Sequence, residues 1–234
     1  MTTRLLLIGA TVVATASLVG AQTAGQKPSP SPAAKPAAPA APARPLSPTG
    51  SGSAQVDGHW TQGAQQQYTA GRGSFEGGKW IDISYGRPLK RGRDVFGSGD
   101  NFGKDLLVGA DVWRAGANVT TQLTSDVPIN IGGKTLAANT TYTVFIDLKP
   151  DNWTFILSTL VAQKKYDPAE KVQVFGAYNY ARDKDVVRMQ MTVERLPHVF
   201  EELSWQFLDM TATTGRLAVV WDNYLASVPF TVAG

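Results

Sequence analysis

The sequence predicts an all-β protein, an antiparallel β-sandwich of jelly-roll-like type with at most one or two short helices. Two observations predict it. From about Tyr68 onward, short runs of alternating apolar and polar residues recur at regular spacing, each bounded by a turn signal. No long helical pattern alternates with them, which removes the strand–helix–strand arrangement of a parallel sheet.

Lys79 to Tyr85 alternates with Ile81, Ile83 and Tyr85 on one face, the mark of a half-buried strand. Val127 to Ile131 leads into Gly132-Gly133 and out through Lys134-Thr135-Leu136; the glycine pair supplies the positive φ angles of a tight hairpin. Thr140 to Leu148 is rich in threonine, aromatic and β-branched residues, Lys149 to Asn152 turns the chain, and Trp153 to Thr159 returns beside it. Later strands fit Val186 to Leu196, Leu203 to Met210, Arg216 to Tyr224 and Ser227 to Val232. Only Ala162 to Val174, with an extension toward Tyr180, hints at helix, and Pro168 keeps that piece short.

Three segments make up the chain. Residues 1–21 read as a secretory signal peptide: Arg4, an apolar run from Leu5 to Val19, then small residues Val19 and Ala21 at the cleavage spacing. The run is shorter and more diluted than the roughly 20 residues of a spanning helix. Export to the periplasm or beyond is the expectation, with no integral membrane segment after cleavage. Residues 22–67 are dominated by Ala, Pro, Ser, Gly and Thr, a composition that cannot offset chain entropy, and are expected to be a disordered spacer. Residues 68–234 form the single folded domain. With no cysteine, it must hold together by packing alone.

The pI of 9.1 does not indicate a nucleic-acid partner. Arg4, Lys27, Lys35 and Arg44 precede the folded part against one acid, Asp57; subtraction from 22 basic and 19 acidic residues leaves 18 of each. A neutral domain lacks the electrostatic footprint of a nucleic-acid binder. His59 and His198 are the only histidines, too few for a zinc site of the usual kind without cysteine. No cofactor is implied, since no phosphate-cradling glycine motif precedes a helix. Glu201, Glu202, Asp209 and Asp222 lie on or near strands; a glycosidase pair and solvated strand faces both fit them.

The densest constellation is Ile83 to Asn118. Arg87, Lys90, Arg91 and Arg93 follow Tyr85 at once; Trp113 and Arg114 then precede Ala115-Gly116-Ala117, small residues that permit close backbone approach, and Asn118. Together with Ile131 to Leu136, Phe175-Gly176-Ala177-Tyr178-Asn179-Tyr180 and Val228-Pro229-Phe230, this stretch resembles the bacterial, mostly exported family called domain of unknown function 2911. The resemblance covers about Ser74 to Phe230 and implies a compact β-sandwich with no established activity. Two departures from that pattern stand out: a longer loop between Phe96 and Val112, and Val119 where relatives often carry an acidic residue.

Arginine is a planar fork of donors suited to carboxylate or phosphate, and it stacks on rings. Tyr85, Arg87, Arg93, Trp113, Arg114 and Asn118 are therefore the candidate ligand-binding residues, on loops at one end of the sandwich. The alternative is an internal clamp, with Arg114 tying down Asp94, Asp111 or loop carbonyls and Trp113 in the core. Trp60 and Trp113 are expected to be exposed, and Trp80, Trp153, Trp205 and Trp221 to be core. Three functions fit: non-catalytic recognition of a small anionic ligand or glycan or an accessory envelope role, a hydrolase or lyase acting on an acidic or sugar substrate, or a structural assembly protein.

Overall fold

The computed structural model describes residues 45–61 and 74–233. Two antiparallel sheets face each other, as the strand pattern predicts. One runs in the order β1 (Thr49–Trp60), β2 (Phe75–Gly86), β3 (Thr121–Ser125), β6 (Thr140–Asp147), β7 (Thr154–Ser158), β8 (Asp185–Gln190). The other runs β5 (Lys134–Leu136), β4 (Ile129–Ile131), β10 (Thr214–Val232), β9 (Thr192–Leu208). The one α-helix among the described residues, α1 (Lys104–Leu107), is a single turn in the loop after β2.

Alternation decides the packing. Ile81, Ile83 and Tyr85 of β2, Leu123 of β3 and Val144 and Ile146 of β6 turn inward to meet Leu203, Trp205, Leu217, Val219 and Trp221 from β9 and β10. A second, smaller cluster lies on the outer face of the six-stranded sheet. Phe145 and Ile156, apolar residues on that outer face, are covered by Val112, Leu160, Val174 and Ala177. Burial of those side chains explains why the irregular segment after β7 folds back over the sheet. Gly132 and Gly133 both have positive φ, +57° and +74°, and make the tight β4–β5 turn.

The fold departs from expectation in five places. Thr49–Trp60, placed in the disordered spacer, is a full strand in register with β2 from Thr49↔Gly86 to Trp60↔Phe75. Its small residues are the reason: Gly50 lies against the Tyr85 ring and Gly52 against the Trp205 carbonyl, where larger side chains do not fit. Residues 22–44 and 62–67 of that segment, and the signal peptide, lie outside the described residues. Ala162 to Val174 is not helical; the Gln163 side chain bonds Gln173 O and Asp167 N, and the Glu170 carboxylate accepts from Val172 and Gln173 N–H. Such side chain–backbone bonds compete with helix formation. The four late strands are three, because β9 and β10 run on as long strands, with three extra residues around Pro197–Val199 bulging from β9 opposite Asn223. Trp113 is only 1% exposed, and its backbone pairs with Ile146 in both directions, so it is core. Trp80, expected in the core, points outward and is 47% exposed, whereas Trp60 is exposed as expected.

Candidate functional site

The basic run after Tyr85 is a tether between the two sheets. Leu89 forms a bridge with Glu202, and Leu203 N–H donates to Pro88 O at 3.0 Å. Arg87 pairs with Glu202, Lys90 with Asp222 at 2.5 Å, and the Arg91 amide donates to the Glu201 carboxylate. Arg93 turns back on its own loop, with Nε donating to Lys90 O at 2.9 Å and Nη2 to Leu89 O at 2.6 Å. Three of the carboxylates weighed for catalysis are thus partners of this run, and Asp209 is paired with Arg216 at 2.7 Å. Tyr85 is a core residue, 3% exposed. Tyr85 and Arg87 therefore line neither of the two recesses described below, and the Arg87 guanidinium is spent on the tether.

Arg114 behaves differently. The neighbouring Trp113 is fixed in a cluster with Phe96, Trp153 and Trp221. The small residues after Arg114 do what their size suggests. Ala117 N–H donates to Gly86 O at 3.0 Å, a side chain at Gly86 would collide with the Ala117 carbonyl, and Trp205 Nε1 donates to Ala115 O at 2.9 Å. Thr121 Oγ1 donates to the carbonyl of Arg114 itself at 2.8 Å. The backbone that carries Arg114 is thus bound on three sides, and the guanidinium leaves it in a set direction.

That guanidinium is half-buried, and burial lowers its pKa from the ordinary guanidinium value. It stays protonated, as arginine does in proteins. Among the described residues it has no carboxylate within ion-pair distance; Nη1 donates to Asn118 O at 3.2 Å. The clamp alternative thus holds in its loop-carbonyl form only.

Arg114 lines a surface cleft of about 540 Å³ between the α1–Arg114 loop and the segment over the outer sheet face. Asp111, Tyr166, Phe175, Tyr178 and Tyr180 share that lining. Tyr166 packs against Phe175 at 5.3 Å between centroids and edge-on to Tyr178 at 6.2 Å. Tyr178 and Tyr166 remain 55% and 47% exposed, so their rings are open to a ligand. Tyr180 is immobilised: its hydroxyl donates to Asp185 at 2.6 Å and accepts from Arg188 at 3.1 Å, while Arg188 also holds Asp147 at 3.0 Å. Burial and the Asp185 carboxylate raise the Tyr180 pKa, which keeps the phenol a donor.

A second, smaller recess of about 240 Å³ shares Val108 and Arg114 with the first, and Arg93, Trp113 and Asn118 also line it. Four of the six candidate residues therefore meet there, Tyr85 and Arg87 excepted. The aromatic wall was not among them. Its signal was present, since Phe175 to Tyr180 belongs to the motif set, but it sits on a segment whose pattern suggested a helix. No group of three histidine, cysteine or acidic side chains placed to hold a metal occurs among the described residues, and no helix among them is long and apolar enough to cross a membrane.

Fold and site define an all-β sandwich with an arginine-floored aromatic cleft beside its six-stranded sheet. The chain belongs to the family described as Protein of unknown function (DUF2911), whose profile matches residues 65–230. No curated protein and no solved structure matches the chain.

Proposed function

We propose that this domain is a non-catalytic binding module for a small anionic ligand with one flat apolar face, a uronate-type sugar being the class that fits. The carrying observation is Arg114, a half-buried cation with no carboxylate partner among the described residues, in an aromatic-lined cleft. Desolvating a cation without pairing it costs free energy, and a bound carboxylate offsets that cost. The fork accepts such a group in bidentate fashion. The exposed Tyr166 and Tyr178 rings offer negative π faces to the C–H bonds of a sugar. Cleft volume lies in the range of small-molecule sites. Tyr180 supports binding over proton transfer, because its phenol is committed to Asp185. Export belongs to the proposal and rests on the leader-like composition of residues 1–21.

A thermal-shift panel of galacturonate, glucuronate, inorganic phosphate and glucose on the full chain tests this. The uronates should raise the melting temperature and glucose should not. Tyr178→Ala, at an exposed position, should diminish the response without unfolding the chain. Equal responses to glucose and galacturonate, or no response to either, would contradict the proposal.

A further inference from the structure

Resting on that reading, we infer that the site is two-part and takes a uronate oligosaccharide rather than a single sugar. The aromatic cleft and the smaller recess are not separate features of the surface, since Val108 and Arg114 line both. Arg114 therefore stands at the junction, with a different chemistry on each side. On one side are exposed rings, Tyr166 and Tyr178. On the other are polar groups with capacity to spare. Arg93 uses Nε and Nη2 on its own loop, which leaves Nη1 without a partner among the described residues. Asn118 donates through Nδ2 to Ser47 O at 2.9 Å, which leaves its Oδ1 likewise without a donor.

This polarity sorts the ligand. A monosaccharide stacked on the tyrosines with its carboxylate on Arg114 leaves the second recess empty. A linked uronate carries its next ring past Arg114, where a second carboxylate meets Arg93 and a hydroxyl meets Asn118 Oδ1. The backbone there is already set. Asn118 adopts a φ of +60° and Ala115 of +51°, and both are held by the bonds to Ser47 and Trp205. Little ordering is required on binding, and preorganisation of this kind preserves affinity. Asp105 also borders the recess and repels a carboxylate on its own side, which leaves the Arg93 side as the place for the second carboxylate.

Titration calorimetry on the full chain, with galacturonic acid, its 1,4-linked trimer and neutral maltotriose, tests the inference. The trimer should bind about tenfold more tightly than the monomer, or better, as expected when a second linked contact is engaged. Maltotriose should give no binding. Ser47→Trp, which fills the second recess from its rim, should bring trimer and monomer to within about twofold. Equal affinities in the wild type would overturn the two-part site and leave the single-cleft reading standing. Binding of neither uronate would overturn both. A Ser47→Trp protein that keeps the trimer advantage would put the extra ring elsewhere and also overturn the inference; where that variant fails to fold, the wild-type ratio alone decides.

Discussion

Arg114 occupies the space a side chain at residue 176 would need: a Cβ added to Gly176 falls 2.6 Å from Arg114 Nη1. Gly176 also has a φ of +62°, a conformation in which L side chains are strained. Gly176→Ala should therefore cost about 1–2 kcal/mol through the backbone and, separately, shift the guanidinium from the junction of the two recesses. Urea denaturation reads the first effect, and loss of the galacturonate thermal shift reads the second.

The tether between sheets predicts a contrast between two acids. Asp222 pairs with Lys90 where the side chains are 11% and 18% exposed, and Asp222 has a φ of +54°. Asn tolerates that conformation, so Asp222→Asn removes the charge alone and should lower stability by about 1–3 kcal/mol. Glu202, paired with Arg87 in the open, should lose about 1 kcal/mol or less as Glu202→Gln. Comparable losses in the two variants would contradict the description of Lys90–Asp222 as the inner bond.

The sequence makes part of this fold legible, and physical reasons mark where it stops. Ile81, Ile83 and Tyr85 alternate because one face of β2 is buried, and Gly132-Gly133 turns because two successive positive φ angles favour glycine. β1 carries no such signal, since Gly50 and Gly52 are small because of the Tyr85 ring and the Trp205 carbonyl beside them and add no apolar side chain to an alternating pattern. The arginine run was visible as a cluster, yet its spacing says nothing of Glu202 or Asp222, which reach it across the sandwich. Arg114 was picked out by type and neighbours. Tyr166 and Tyr178 are not legible in this way, because the segment that carries them has a helix-like pattern while side chain–backbone bonds hold it in an irregular conformation.

Close approach of backbones makes Gly86 intolerant. A side chain there would overlap the Ala117 carbonyl, in the stretch that fixes Arg114. Gly86→Ala should cost about 3 kcal/mol or more, among the larger single-residue effects. Gly92→Ala is the control: with a φ of +70° and nothing within 4 Å of the added carbon, it should cost only about 1–2 kcal/mol of backbone strain. Chemical denaturation of both variants checks the difference.

Alkaline pH should weaken the wall of the cleft. Burial first, then Asp185, raises the Tyr180 pKa above the 10.0 of an unperturbed phenol. Above about pH 10 the unfolded chain therefore releases a proton that the native state retains, and stability falls as pH rises. The loss is absent below the unfolded value and grows toward the folded one. In Tyr180→Phe the urea midpoint should decline less steeply from about pH 9 to 11 than in the wild type. The Tyr224 pKa is raised as well, mainly by burial, and its share of the slope should remain in that variant. Parallel slopes in the two proteins would sink the assignment.

Whether Arg114 is a ligand-seeking cation is decided by the galacturonate-induced melting shift of wild type beside Arg114→Lys. Lysine keeps the charge but loses the bidentate fork. A clear shift is expected in the wild type, about 2.7 kcal/mol of added stability at 100 times the dissociation constant, and a much smaller one in the variant. Equal shifts in both proteins would place the ligand somewhere other than the Arg114 cleft.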